Sequence, residues 1–164
     1  MREMEVLGVR VEVPGNAPLL LLREVGGTRC VPIWIGAAEA SAIASALDGV
    51  EPERPLTHDL LCEVISALGH ELFEVRVTAL TDSTFYAELQ LDQRVISARP
   101  SDAIAVAIRL GAPVKCAEQI IEEVGVELPE KADDEVEKFR EFLDSVNPDD
   151  FELGDPQQGP EGKS

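Results

Sequence analysis

Two short polar clusters hold the residues of this chain best suited to chemistry. "RPLTHD" (54–59) groups Arg54, Thr57, His58 and Asp59, and "ARPSDA" (98–103) groups Arg99, Ser101 and Asp102. A histidine changes charge near neutral pH and serves as a proton shuttle or metal ligand. Arginine carries a planar fork that binds phosphate or carboxylate through two bonds. Carboxylates hold hard divalent ions, and Asp59 and Glu63 stand one helical turn apart, within reach of one ion. Each cluster also opens an apolar, helix-like run, so helix capping competes with catalysis. Thr57 and Ser101 suit N-cap positions. Asp59 and Asp102 fall in first turns, where a negative charge gains about 0.3–1 kcal/mol at an exposed site. Capping leaves Arg54, His58 and Arg99 unexplained. An Arg–Asp pair that orders the loop competes with an anion site at Arg99.

A third stretch, "PIWIGAAEA" (32–40), holds Trp34, the only tryptophan, and Glu39 in the first turn of a helix. Trp34 reads as core or interface before it reads as a base-stacking platform. Glu39 reads as a dipole-matched charge before a catalytic one. His70 follows a helix stop and reads as solvent-exposed. P-loop, GxGxxG and HExxH patterns are absent, as is a GxSxG elbow.

The elements that must position these residues follow from hydrophobic period. Strands are predicted at 4–13, 19–25 and 29–35, with a bulge at Gly8 and a hairpin at "GGT" (26–28). The period then changes to helical over 36–49, with Ala40, Ile43, Ala44 and Leu47 as its stripe. A second helix spans 57–69, where Leu60, Leu61, Val64, Ile65 and Leu68 are expected to pack inward. Strands return at 70–80, 84–91 and 94–98. A third helix covers 101–111 with Ile104, Ala105 and Ile108 inward, 112–116 is extended, and a short helix covers 117–125. The order strands–helix–helix–strands–helix–helix predicts an α+β fold with a mostly antiparallel, mixed sheet and helices packed on it. The domain is expected over 1–130, followed by an acidic amphipathic helix at 131–146 and a disordered acidic tail at 147–164.

Composition narrows the partners. The 164 residues are 45% hydrophobic but only 4% aromatic, so the core must be aliphatic and alanine-rich. The net charge is −18, half of it in residues 127–164. That argues against broad attraction to nucleic acid, whose phosphates need a positive surface. It leaves room for a local arginine-lined cleft, because nine of the ten basic residues before 127 are arginine. Cys30, Cys62 and Cys116 are too scattered for a disulfide framework or a zinc site and read as buried thiols. No apolar run approaches the roughly 18–20 residues of a membrane span, and no signal-peptide pattern opens the chain. A cytoplasmic location with no membrane partner is expected.

Four ordered blocks, "VPIWIGAAEASAIASAL", "RPLTHDLLCEVISALG", "TFYAELQL" and "ARPSDAIAVAIRLGAPV", together resemble the bifunctional nuclease domain family across residues 5 to 126. "FREFLDSVNPDDF" is similar to extensions on bacterial members. The resemblance implies a compact α+β domain that self-associates, often as a homodimer, and a nuclease activity ascribed to plant members on DNA and RNA. It carries over to Glu39, Arg54, Thr57, His58, Asp59, Arg99, Ser101 and Asp102. Family members usually have an aspartate two residues before the Arg-Pro of the second cluster, and this chain has Ser97. If that aspartate binds metal, the change would weaken activity.

Three readings follow. In the first, the chain is a divalent-metal-dependent nuclease. Asp59 and Asp102, supported by Glu63 or Glu39, would hold Mg²⁺ or Mn²⁺, His58 would be general base or acid, and Arg54 and Arg99 would clamp the scissile phosphate of single-stranded DNA or RNA. In the second, the chain is a non-enzymatic binding module. Pairs such as Arg54–Asp102 and Arg99–Asp59 would lock the helix starts, and the acidic tail would recruit a protein partner. In the third, the arginine cleft holds a small anion such as a nucleotide.

Overall fold

The computed structural model describes residues 1–12, 15 and 17–127. The helix and tail expected after residue 130 lie outside the described residues. The element order is β1 (Arg2–Glu12), β2 (Ala17–Glu24), β3 (Arg29–Trp34), α1 (Ala37–Leu47), α2 (Thr57–Ala67), β4 (Leu72–Thr81), β5 (Thr84–Leu91), β6 (Val95–Ala98), α3 (Pro100–Leu110), β7 (Val114–Cys116), α4 (Glu118–Val124) and β8 (Val126–Glu127).

One eight-stranded sheet runs β6-β5-β4-β7-β1-β2-β3-β8. It consists of two antiparallel meanders, β1-β2-β3 and β4-β5-β6. The extended stretch 112–116 supplies the short strand that joins them. β7 pairs antiparallel with β1 and parallel with β4, which makes the α+β sheet mixed. The expected bulge is present: the β1–β2 register shifts between Val6 and Gly8. An unforeseen eighth strand, β8, adds two residues beside β3.

The core is aliphatic, as the low aromatic content requires. Leu20 and Leu22 of β2, Val31 and Ile33 of β3, and Val75 and Val77 of β4 all face it. They meet Ile43 of α1 and Ile104 of α3 there, together with Ile120 and Ile121 of α4. Leu19 and Leu21 alternate to the other side of β2 and form a small second cluster with Leu7. Among the described residues, no helix is long and apolar enough to cross a membrane.

Helix α3 is the hub. The sequence suggested one inward stripe, but every residue from Ala103 to Ala107 is buried. The cause is composition: alanines at 103, 105 and 107 leave room for neighbours on several sides. α1 and α2 pack against α3, and α3 rests on β4 and β5.

α2 departs from expectation in the opposite sense. Only Cys62 and Ile65 are buried. Leu60, Leu61, Val64 and Leu68, expected inward, are exposed. α2 packs on α3, and one narrow stripe suffices to cover an alanine-rich neighbour.

The three cysteines are free and buried. Burial pushes the Cys30 thiol up to about 11 and the Cys116 thiol up to about 12, so both stay protonated and inert. The hub carries a direct expectation. Ile104→Ala removes a fully buried side chain from the centre of α3, and denaturant unfolding should show a loss of about 2–5 kcal/mol.

Candidate functional site

Proline sets the geometry at the start of α3. Pro100 occupies the first helical position and holds Arg99 extended, with φ −71° and ψ 145°. Arg99, not Ser101, is therefore the N-cap residue. Ser101 is buried in the first turn instead of capping it. The Asp102 carboxylate then faces the seam between α2 and α3.

Both oxygens of Asp102 are engaged. His58 Nε2 lies 2.8 Å from Oδ1, and Arg99 Nε donates to Oδ2 at 2.8 Å. Arg99 Nη2 reaches on to Oε2 of Glu39 at 2.9 Å. One chain of polar contacts thus runs from α2 through α3 to α1. Burial works to raise the Asp102 carboxyl, but the hydrogen bonds of His58 and Arg99 and the arginine charge outweigh it and hold the group below the usual aspartate range. The bond to Asp102, followed by that to Glu39, raises Arg99 in turn. An ionised Asp102 only accepts, so Nε2 of His58 must carry the proton. In the neutral ring, Nδ1 is then left with the free lone pair.

Asp59 belongs to a separate lock. Thr57 does not cap α2. Leu56 is the N-cap residue, and the Asp59 carboxylate reaches back to accept its backbone N–H at 3.0 Å. Arg109 Nε donates to the other oxygen of Asp59 at 2.7 Å. Arg109 also donates to the carbonyls of Ala105 at 2.8 Å and Ala42 at 3.1 Å. Three bonds from one guanidinium tie α1, α2 and α3 together. The Arg109 bond, then the Leu56 N–H, hold the Asp59 carboxyl below its ordinary value.

The two clusters do meet in space, through His58 and Asp102. The pairs suggested as locks are corrected: Arg99 binds Asp102 and Glu39, and Asp59 binds Arg109. Arg54 and Glu63 are exposed and have no hydrogen-bond or ion-pair partner among the described residues. Ser97 is exposed on β6, opposite Glu88. Sequence reasoning missed Arg109. Its signal was position: residues 102, 105 and 109 share one helical face, so an arginine there looks toward the same seam as Asp102.

The donor set does not fit Mg²⁺ or Mn²⁺ as it stands. Among the described residues, no three of His, Cys, Asp and Glu converge as ligands. Between the two carboxylates that do come together, Glu39 and Asp102, the guanidinium of Arg99 already fills the cation position. Two clefts flank the chain of contacts. One, about 360 Å³, is lined by His58, Arg109, Leu56 and Thr57 with Ser41 and Ser45 of α1. The other, about 340 Å³, is lined by Arg99 and Ser101, Trp34 and Gly36, and Thr84 and Phe85. His58 serves the first cleft and Arg99 the second, with Asp102 bonded to both.

Two outcomes follow for the Arg109 lock. Arg109→Ala leaves the Asp59 carboxylate without its cation, and urea unfolding at pH 7 should show a loss of about 1–3 kcal/mol. The folded-state values of Asp59 and Asp102 are depressed. Their contribution is therefore present above the unfolded aspartate value of about 3.9 and is lost as pH falls below it. Asp59→Asn should shrink the difference between urea midpoints measured at pH 7 and pH 3.

Comparison with known proteins bears on the same region. The profile of the bifunctional nuclease domain matches residues 20–129, which contain every residue of the polar contacts and clefts just described. The uncharacterized protein Rv1829 of Mycobacterium tuberculosis is 53% identical over 161 residues, covering 92% of this chain and 98% of that protein. Bifunctional nuclease 2 of Arabidopsis thaliana is 28% identical over 113 residues, 63% of this chain and 34% of the plant protein. Bifunctional nuclease 1 of Oryza sativa subsp. indica is 27% identical over 122 residues, 70% of this chain and 37% of the plant protein. The matched span holds the whole His58–Asp102–Arg99 constellation and most of the sheet that supports it, and the chain belongs to the bifunctional nuclease domain family.

Proposed function

We propose that the chain hydrolyses phosphodiester bonds of single-stranded DNA or RNA, with His58, Asp102 and Arg99 as its working residues. The observation that carries this reading is the pair of bonds on Asp102. An ionised carboxylate fixes the His58 tautomer and orients the ring, which is how a histidine base is prepared. As the oxygen of an attacking water bonds to phosphorus, His58 Nδ1 takes its proton, the opposite P–O bond breaks and the leaving oxygen takes a proton from solvent. Arg99 keeps Nη1 outside its bonds to Asp102 and Glu39 and, from the neighbouring cleft, donates from it to a flanking phosphate of the strand. Arg54, exposed near the start of α2, adds attraction for the strand. Asp59 and Glu63, first considered as metal ligands, have no part in the step, and Thr57 and Ser101 line the clefts.

The net charge of −18 is compatible with this chemistry only if recognition is local. A few arginine contacts to an unpaired strand replace the broad positive track that duplex binding uses.

A second reading has its own support. The Asp59 half of the constellation is spent on tying three helices together, as a non-enzymatic binding module would require. The acidic segment after residue 130 would then recruit a protein partner.

The test is cleavage of labelled single-stranded DNA and RNA by the full chain in chelator, in Mg²⁺ and in Mn²⁺. His58→Ala and Asp102→Asn should each lower the rate about 10²–10⁴-fold with folding intact by circular dichroism. Cleavage in chelator matches the donor set described above. A strict need for Mg²⁺ or Mn²⁺ means that the Arg99 clamp opens to admit an ion. Cleavage unaffected by both substitutions rejects the site, and no cleavage in any arm favours the binding module.

A further inference from the structure

The cleft beside Arg99 holds more than its arginine needs. β3 and β5 stand seventh and second in the strand order, yet the end of β3 and the start of β5 line this one space. The sheet therefore curls until its two meanders approach each other over the start of α3, and the cleft is the gap where it does not close. Trp34 at the end of β3 and Phe85 of β5 both line it. Trp34 reads from the sequence as core or interface, but it is 59% exposed. The β4–β5 turn adds a second observation. Thr81 pairs with Thr84, so Asp82 and Ser83 form a two-residue turn, with φ +51° and +66°. Such a turn favours Asn and Gly, and its left-handed backbone is costly for a residue with a β-carbon. Strain of this kind collects at binding sites. Ser83 is kept there all the same, and with Thr84 it lines the cleft.

Three properties choose the occupant. The first is space. A volume of about 340 Å³ lies at the small end of ligand cavities, which suits one nucleotide and not a helix or a long peptide. The second is chemistry. A guanidinium and two aromatic side chains in one cleft fit a ligand that joins an anion to a flat apolar ring, and a nucleotide carries both. The hydroxyls of Ser83 and Thr84 suit the polar edge of such a ring. The third is charge. A net charge of −18 denies the chain the long-range pull on phosphates that basic proteins use. Its hold on a strand must draw on a contact that this charge does not weaken, and stacking of a base on an aromatic ring is one.

We propose that this cleft seats one nucleotide of a single strand, with its base stacked on Trp34 and its phosphate on Nη1 of Arg99. Asp102 bonds to Arg99 on this side and to His58 on the other, so the seated nucleotide neighbours the one presented to His58. Every base has a π-face, so the seat tolerates any of them. It rests on the single-strand substrate proposed above and adds where that strand is gripped.

Trp34 is the only tryptophan, so its emission reports on this cleft alone. The full chain carrying His58→Ala, which leaves the strand whole, is titrated with a short oligothymidylate in chelator. Emission should be quenched saturably by the oligonucleotide, but not by an abasic strand of the same length or by inorganic phosphate. Adding Trp34→Leu should weaken binding of a dye-labelled strand, read by anisotropy, about 10–100-fold, and Trp34→Phe should restore most of it. Tyr86→Ala removes another exposed aromatic, one that does not line the cleft, and should bind like its parent. Circular dichroism checks the fold of each variant. Binding without a change in Trp34 emission, equal quenching by the abasic strand, unaltered binding by Trp34→Leu, or no binding of any strand overturns the seat. The two readings fail separately. Wild-type cleavage that Trp34→Leu leaves unchanged removes the seat and keeps the nuclease. Base-dependent quenching in a chain that cuts nothing keeps the seat and removes the nuclease.

Discussion

The polar constellation of the candidate site is arranged around the burial of one small-residue helix. The segment Ala103–Ala107 is enclosed by α1, α2 and the sheet, which is possible only because three of its five side chains are methyl groups. The helix then has nowhere to put a charge except at its two ends. Asp102 at one end and Arg109 at the other emerge in the seams where α1 and α2 cross it. There they meet His58, Asp59 and a carbonyl of α1. The constellation is thus a product of packing: a thin hub brings three helix surfaces within hydrogen-bond reach of one another.

The two aspartates that sequence reasoning treated alike have different work. Asp59 accepts from Arg109 and from the Leu56 N–H, and both contacts restrain the backbone. Asp102 accepts from a histidine that lines an open cleft and from an arginine that lines another. Arg109 lines the His58 cleft as well, but its three bonds all restrain the helices, whereas His58 keeps one ring nitrogen outside its bond to Asp102. Breaking a charge pair of the first kind costs stability. Changing the second alters the state in which His58 meets whatever enters the cleft.

Much of this was legible from residue order. The alternation of β1, β4 and β5, the bulge at Gly8 and the helix starts after Arg-Pro all rest on local rules of period and backbone conformation. Those rules do not depend on tertiary context. The partners were less legible. Nothing in "RPLTHD" says that its aspartate pairs with an arginine 50 residues later, because that contact depends on how closely α2 approaches α3. The outer row of α2 was misread for a related reason. Leucines at helical spacing announce an apolar face, but not which of two apolar faces the domain buries. The same limit applied to the caps: Thr57 and Ser101 have the right chemistry, yet Pro100 and the Asp59 carboxylate decided where the helices begin.

The join between the two meanders is only three residues long. Val114–Cys116 pairs with β1 on one side and β4 on the other, and it arrives after both meanders and α3 in the chain. Until it docks, β1 and β4 each present an unpaired edge, which is the feature most prone to pairing with another chain. A ribosome would therefore expose two sticky half-sheets until this stretch clears the exit tunnel. Docking of Val114, Lys115 and Cys116 closes both edges at once, and its pairing with β1 spans most of the described sequence, the kind of non-local contact that is slow to form.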